Sequence, residues 1–395
     1  MIVVEYLLIV LTGFLWLPVL VLFIQVVAAC FPCRRALSES VVLRPRIAVL
    51  VPAHNEAAVV VETLQTLRPQ LREGDRLLVV ADNCSDDTAA LARTTGAEVI
   101  ERLDTERRGK GYALDFGVRH LAAEPPEVLV IIDADCRVGE SALDLLAHKS
   151  ALMGRPVQAL YLMHAPAEAG LKLRIAEFAW LVKNWVRPIG FHRFGLPCQL
   201  MGTGMAFPWQ DITCVELATG HIVEDLKLGL DFCRMGKPPV FLPSAKVASW
   251  FPANEEGAQT QRTRWEHGHL GVLLKEGPKL LLESVHHGNG ALLAMALDLI
   301  VPPLALLVLL TTVVLVLAFG VALIGGSSLP ALLALAAVVL LGSAVMLAWA
   351  VHGRKVISLY SLAYVPLYVF CKIPVYLKFV LNRQVEWVRS KRDGT

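Results

Sequence analysis

The chain has 395 residues, 55% of them hydrophobic, and a mean hydropathy of +0.55. That balance excludes both an ordinary soluble protein and a disordered one. A formal net charge of +2, with no basic stripe interleaved with aromatics, gives no support to nucleic-acid binding.

The first apolar stretch, Tyr6 to Cys30, is about 25 residues long, enough to cross ~30 Å of hydrocarbon. Val27-Ala28-Ala29 would pass as a weak signal-peptide cleavage site. The stretch lacks a basic leading region and is too long for a signal core, so an uncleaved span is expected. Arg34, Arg35, Arg44 and Arg46 follow it; by the positive-inside rule the amino terminus faces outward and the next domain lies in the cytoplasm. Cys30 and Cys33 form a CxxC without a second pair, which reads as small apolar residues at a helix end rather than as a zinc site. The eight cysteines show no even framework, and free thiols fit a reducing compartment.

Residues from about 45 to 285 carry most of the charge and suit one large globular domain. Arg46–Val51 predicts a buried strand, Ala57–Leu67 a helix and Arg76–Ala81 a second strand. A helix over Thr88–Thr95, a strand over Glu98–Arg102, a helix over Gly111–Leu121 and a strand over Glu127–Asp133 follow. Strands alternating with helices imply an α/β, doubly wound and mostly parallel sheet. Ligands bind such sheets beyond the carboxyl ends of the strands. Polar residues gather there: Pro52-Ala53-His54-Asn55-Glu56, Asp82-Asn83-Cys84-Ser85 and Asp133-Ala134-Asp135.

Asp133 and Asp135 take alternate positions after an apolar run. Two carboxylates at the end of a buried strand are costly unless hydrogen bonds or a cation offset them. A hard divalent ion bridging two phosphates would do so; a loop-capping role is the alternative. Asp82 and Glu56 have helix-capping alternatives of their own. Gly109-Lys110-Gly111 opens a helix and can present amides and an ammonium to a phosphate, though without the spacing of a Walker loop. No GxGxxG follows the first strand, which argues against a dinucleotide enzyme. Leu171–Val186, with Lys172, Arg174, Trp180 and Lys183, is amphipathic. It either lies on the membrane surface as part of an acceptor entrance or packs on the sheet. Glu224-Asp225 is an acidic pair that an exposed helix start would also produce, and Trp265 could be an interfacial anchor. His267 and His269 flank Gly268 with no third metal ligand in sight.

Two spans are expected near Ile300–Ile324 and Leu329–Val351, around the turn Gly325-Gly326-Ser327-Ser328. Asp298, beside Pro302-Pro303, takes an interfacial position. Val356 to Cys371 is short and contains Pro366. A full third span would put Lys372, Lys378, Arg383, Arg389, Lys391 and Arg392 outside, so a re-entrant or interfacial helix is favoured. The expected organisation is a transmembrane helix at 1–32, a cytoplasmic domain at 45–285 and a membrane region at 292–395. The last holds two clear spans plus a third span or a re-entrant or interfacial helix.

In chain order the motifs are Pro52-Ala53-His54-Asn55-Glu56, Asp82-Asn83, Gly109-Lys110-Gly111, Asp133-Ala134-Asp135, Gly202-Thr203-Gly204, Glu224-Asp225 and Gln261-Arg262-Thr263-Arg264-Trp265. The last is a full QxxRW. The ordered set resembles the membrane-integrated, processive-type branch of glycosyltransferase family 2, to which cellulose, chitin and hyaluronan synthases belong. The resemblance covers about residues 46 to 270 and the membrane layout. It implies a GT-A fold, an inverting reaction and a UDP-sugar donor with Mg or Mn. By the family pattern Glu56 and Asp82 would hold the uridine, and Lys110 would lie near the nucleotide. Asp133 would contact the nucleotide or the metal, and Asp135 the metal. Asp225 would be the general base. Glu224, Gln261, Arg264 and Trp265 would line the place where acceptor and diphosphate meet.

Elementary chemistry agrees with those roles. Breaking a sugar–phosphate bond builds charge on the leaving diphosphate, which a metal and Arg264 would stabilise. The attacking hydroxyl has a high pKa, so a carboxylate must take its proton as the bond forms. Trp265 offers a flat apolar face to a sugar ring and an N–H at its edge.

The large synthases carry more membrane helices, and two or three spans are few for enclosing a polymer tunnel without a second copy or a partner. QxxRW nevertheless leans towards transfer of a hexose or N-acetylhexosamine to a growing polysaccharide or oligosaccharide, the expected reaction, with export or synthase partner proteins as companions. The small number of spans leans the other way. Single-sugar transfer to a lipid-linked acceptor is the alternative. A catalytically silent scaffold predicts loss of the acidic residues, yet Asp133, Asp135 and Asp225 are all present. The compact chain suggests a bacterial inner membrane.

Overall fold

The computed structural model describes residues 1–32, 43–220, 223–252 and 255–381, without the side chains at 255, 256 and 258. Cys33, Arg34, Arg35, Arg383, Arg389, Lys391 and Arg392, invoked above, lie outside the described residues.

The strands are β1 (Ile47–Ala53), β2 (Arg76–Asp82), β3 (Glu98–Arg102), β4 (Val128–Ile131), β5 (Arg137–Val138), β6 (Val157–His164), β7 (Met205–Pro208) and β8 (Val240–Trp250). They form one sheet in the order β3-β2-β1-β4-β7-β6-β8-β5. The first four neighbours run parallel, as do β6 and β8, while β7 lies antiparallel to both β4 and β6. The expected doubly wound, parallel-dominated sheet is therefore present. β1 explains why: Ile47, Val49 and Val51 fill the core on one face, Ala48 and Leu50 fill it on the other. A strand buried on both faces reads as an unbroken apolar run.

Two expected boundaries are corrected. The helix after β1 covers Val60–Leu67 rather than starting at Ala57, because the amides of Val59 and Val60 both donate to the Glu56 carbonyl in the preceding turn. β4 ends at Ile131 rather than at Asp133. The Asp133 amide leaves the ladder and donates to Thr203 Oγ1 at 3.0 Å, turning the acidic loop into the crevice.

Three helices are long and apolar enough to cross a membrane: Ile2–Ala29, Leu304–Leu323 and Leu329–Gly353. The third buries Ala331, Ala334, Ala337, Ala344 and Ala348 along one stripe. Small residues on a stripe let helices approach closely where lipid removes the usual apolar driving force.

The amphipathic stretch is a helix over Leu171–Leu181, a π-helical turn over Val182–Val186 and a further helix over Arg187–Arg193. It packs against both regions. Phe178 and Val186 share an apolar cluster with Val19, Leu22 and Val26 of the first long helix. A Cβ on Gly190 would meet the Gln25 carbonyl oxygen at 2.0 Å, so only glycine permits this contact. Arg187 donates to Gln25 Oε1 at 3.1 Å and to Asp298 Oδ1 at 2.8 Å. Gln25 donates in turn to Asp298 Oδ1 at 2.6 Å, so a closed polar cluster joins three segments. The last helix, Val365–Leu381, lies against the QxxRW helix Glu255–His286: Lys372 pairs with Glu266, and His267 bonds the Val375 carbonyl at 2.9 Å.

Candidate active site

A cavity of about 790 Å³ opens beyond the carboxyl ends of β1, β2 and β4, as the doubly wound topology requires. The ten residues assigned site roles by the family resemblance all line it: Glu56, Asp82, Lys110, Asp133, Asp135, Glu224, Asp225, Gln261, Arg264 and Trp265.

Asp82 ends β2 and is buried. One of its oxygens accepts from Arg102 Nη1 at 2.6 Å and from Asn83 Nδ2 at 3.0 Å. Arg102 sits at the end of the neighbouring β3 and also holds Asp104 at 2.9 Å and the Arg107 carbonyl at 2.8 Å. Asn55 and Asn83 adopt positive φ of 55° and 51°, a left-handed geometry that asparagine tolerates better than most residues. The Asn55 side chain bridges to the Ser85 amide at 2.7 Å, tying the two strand-end loops together.

The charged centre forms around Gly202. Its φ of +88° turns the chain inward, and a Cβ there would lie 3.4 Å from Asp225 Oδ2, 3.6 Å from Lys110 Nζ and 3.9 Å from Asp133 Oδ2. Three charged side chains from three elements thus converge on one point. Lys110 donates to the Gly202 carbonyl at 2.7 Å, pairs with Asp133 and lies 3.8 Å from Glu224. Burial alone would push the Lys110 ammonium down, but Asp133 and Glu224 outweigh it and hold the group above its usual range. Burial pushes Asp133 and Asp225 up, with Lys110 opposing in both cases. Burial raises Glu224 to about 7, Lys110 opposing and Asp225 adding to the shift. Asp225 opens the helix Glu224–Arg234, and its Oδ1 accepts from the Leu226 amide at 2.8 Å. That bond leaves Oδ2 on the Gly202 side.

The donor set suits a divalent cation held with its substrate rather than in a cage. Asp133 and Asp135 share one turn, and the Asp135 charge raises Asp133. Among the described residues no group of three or more His, Cys, Asp or Glu side chains is arranged to hold a metal. Mg²⁺ keeps several waters and is commonly bound by one or two carboxylates plus phosphate oxygens. Two adjacent carboxylates beside an ammonium match that mode.

At the end toward the long apolar helices the same cavity is lined by residues whose part the sequence did not reveal: Asn184, Arg187, Gln199 and His269. Trp180 meets Trp265 with ring centroids 4.8 Å apart, and Lys183 lies 5.4 Å from the Trp180 ring centroid. The amphipathic segment therefore forms a wall of the cavity. Periodicity showed that the segment was two-faced; only the π-helical turn sets Lys183, Asn184 and Arg187 toward the cavity.

The profile of the family described as Glycosyltransferase like family 2 matches residues 45–268. Among curated proteins, the chain is 27% identical over 248 residues to "Probable glycosyltransferase YdaM" of Bacillus subtilis, a match spanning 58% of this chain and 57% of that protein. It is 38% identical over 204 residues to "Uncharacterized glycosyltransferase Rv0539" of Mycobacterium tuberculosis, spanning 52% of this chain and 80% of that one. The chain thus spans little more than half the length of the Bacillus relative. Among solved structures, the mannosyltransferase PcManGT from Pyrobaculum calidifontis, in complex with GDP-Man and Mn²⁺, is similar in fold. The TM-score is 0.60 at 18% identity, covering 96% of this chain and 99% of that one. With its strand-end acidic loops in place and the family profile matched over more than half its length, this chain belongs to the Glycosyltransferase like family 2.

Proposed function

We propose that the protein is a membrane-bound, inverting glycosyltransferase that moves a hexose or N-acetylhexosamine from a UDP-sugar, with Mg or Mn, onto a growing polysaccharide or oligosaccharide. The convergence of Asp225, Lys110 and Asp133 on Gly202 carries the reading. It puts a candidate base, a phosphate-binding ammonium and a candidate metal ligand within reach of one reacting bond. Glu56 and Asp82 hold the nucleoside in this proposal, with Arg102 fixing Asp82 in place. A metal at Asp133 and Asp135 supplies positive charge to the diphosphate when bound. Lys110 and Arg264 supply the rest.

In the reaction an acceptor hydroxyl attacks the anomeric carbon from the face opposite the diphosphate. The carbon–oxygen bond to phosphate breaks, its electron pair leaves with the nucleoside diphosphate, and the hydroxyl proton passes to Asp225. A positioned base of this kind contributes roughly 10²- to 10⁴-fold. Gln261 and Trp265 shape the acceptor side. The family likeness supports the chemistry, and the donor of PcManGT, GDP-Man, makes the nucleobase the first point to measure.

The three long apolar helices support a multi-pass membrane protein, with 45–285 as the catalytic domain on the cytoplasmic side of a bacterial inner membrane. QxxRW and the Trp265 ring favour the processive branch. Single addition to a lipid-linked acceptor is the second reading, favoured by a side cavity that reaches the apolar helices.

The test is nucleoside diphosphate release by the purified protein in nanodiscs, over a panel of UDP-sugars and GDP-mannose with Mg or Mn, followed by sizing of the product. Release with one UDP-sugar, lost in Asp225→Asn, is expected. Unchanged release in that variant would overturn the base assignment, and release only from GDP-mannose would overturn the donor.

A further inference from the structure

The membrane end of the cavity contains buried polar atoms that no described residue satisfies. Asn184 is 1% exposed, yet neither its Oδ1 nor its Nδ2 has a hydrogen-bond partner among the described residues. His269 is 8% exposed and its Nε2 is likewise without a partner, as are Gln199 Oε1 and Trp180 Nε1. All four residues line the main cavity. Buried polar atoms are nearly always satisfied, so an unsatisfied cluster facing one cavity points to a ligand or to water that a ligand displaces.

The chemistry of the cluster narrows the ligand. Burial pushes the His269 imidazole down to about 3, with Lys183 and Arg187 adding to the shift, so the ring is neutral. The Nε2 of a neutral imidazole either accepts from a hydroxyl or donates to one. Gln199 donates its amide to the Met295 carbonyl at 3.1 Å, which leaves Oε1 as an acceptor. Asn184 Nδ2 and Trp180 Nε1 are donors. A neutral set mixing donors and acceptors beside the face of an indole suits a ring bearing several hydroxyls, each of which both donates and accepts.

A second, smaller cavity of about 120 Å³ shares Trp180, Lys183 and His269 with the first. Beside Arg187, Arg262 and Glu266 its lining is apolar: Leu22 of the first long helix, Val301, Pro302, Leu304 and Ala305 at the start of the second, and Tyr368. It joins the hydroxyl-reading end of the active site to the boundary of the membrane helices.

We infer that the acceptor is a glycolipid: its terminal sugar is held by Asn184, Gln199 and His269, and the first part of its apolar chain leaves through the side cavity past Leu304. The inference rests on the transferase reading, takes the lipid-linked acceptor over the free polymer, and deepens that choice by assigning the residues that hold the acceptor sugar and the path of its chain. In the transfer, a hydroxyl of that terminal sugar bonds to the donor's anomeric carbon as the nucleoside diphosphate leaves, and its proton goes to Asp225.

The experiment uses the full chain in its native membranes, supplied with radiolabelled UDP-glucose, UDP-galactose, UDP-N-acetylglucosamine or GDP-mannose. Products are partitioned between organic solvent and water, and the glycan is released from the organic fraction and sized. Binding of nucleotide with Mn²⁺ is measured separately on the purified protein and reports on the donor site alone. Label in the organic phase that releases as a disaccharide or longer is expected. Leu304→Trp, which fills the side cavity, lowers that label at least tenfold, and His269→Ala and Asn184→Ala lower it several-fold by raising the acceptor KM. All three variants keep wild-type nucleotide binding, which also shows that they fold.

Label that releases as a monosaccharide would mean a bare lipid phosphate as acceptor and would overturn the sugar subsite. Label confined to a water-soluble polymer would overturn the lipid. No label despite normal nucleotide binding, in membranes that supply their own lipids, also counts against the inference. Absence of nucleotide binding in the wild type would instead sink the transferase reading.

Discussion

At the sheet end of the cavity four ionisable side chains, Lys110, Asp133, Glu224 and Asp225, crowd around Gly202, whereas at the end toward the apolar helices Asn184, Gln199 and His269 present neutral atoms with no hydrogen-bond partner among the described residues. The first end is electrostatically strained in isolation: burial pushes three carboxylates up, and one ammonium offsets them only in part. The second end is under-bonded: its neutral atoms lack partners among the described residues, beside the Lys183 and Arg187 cations. The difference teaches what each end waits for. Clustered carboxylates beside an ammonium suit a metal–diphosphate, while unsatisfied neutral donors and acceptors suit hydroxyls.

The sharpest way to break the comparison is to remove one member of the charged end. Asp225→Asn keeps the shape and removes the base; transfer is expected to fall by roughly 10³-fold with donor binding unchanged. Stopped-time assays of nucleoside diphosphate release, beside a nucleotide-binding isotherm, check both halves. A loss of binding equal to the loss of rate would make Asp225 a donor ligand rather than a base.

The polar cluster between the two regions should be nearly as sensitive, though in stability rather than rate. Asp298→Ala strips the buried Arg187 guanidinium of its carboxylate partner, leaving it with Gln25 and the carbonyl of residue 298. Removing one member of a buried pair costs about 3 kcal/mol or more. Thermal unfolding in nanodiscs should show a clear drop, and a double variant with Arg187→Met should recover much of it. An unchanged midpoint would mean that water reaches the pair.

Gly202→Ala tests the geometry of the charged end itself. A non-glycine residue at φ +88° costs on the order of 1–2 kcal/mol. The new methyl would also sit 3.4 Å from Asp225 Oδ2. A modest loss of stability with a larger loss of activity is expected, read from unfolding and release assays on one preparation.

The charged end was far more legible in the sequence than the neutral end, for a physical reason. Carboxylates after apolar strands break a pattern that burial imposes, so Asp82, Asp133 and Asp135 stand out, and topology then brings strand ends together without help from side chains. The partner of Asp82 did not stand out. Arg102 lies 20 residues on, and only the parallel pairing of β2 with β3 brings the two together. Asn184, Gln199 and His269 are ordinary polar residues in sequence. They meet because a π-helical turn redirects one segment and the QxxRW helix continues past Trp265 for another turn. The three long apolar helices were visible from hydropathy alone, with ends shifted by a few residues. The side cavity between them depends on how they pack, which no local pattern encodes.

The smallest expected effect is a pH dependence that belongs to Glu224. Its folded pKa of about 7 lies above the ordinary value of 4.5, so folding favours the protonated acid. Stability from this group is therefore full below about pH 4.5 and is lost as pH rises through about 7. In the protein without nucleotide or metal, the unfolding midpoint should decline across that window, and Glu224→Gln should flatten the decline. Adding Mn²⁺ with a nucleoside diphosphate should also flatten it in part, because positive charge at Asp133 and Asp135 opposes the shift that burial, with Asp225 and Asp133, imposes on Glu224. If the slope survives in Glu224→Gln, the strain resides in Asp133 and Asp225 instead, and the charged end is held by those two groups and Lys110 alone.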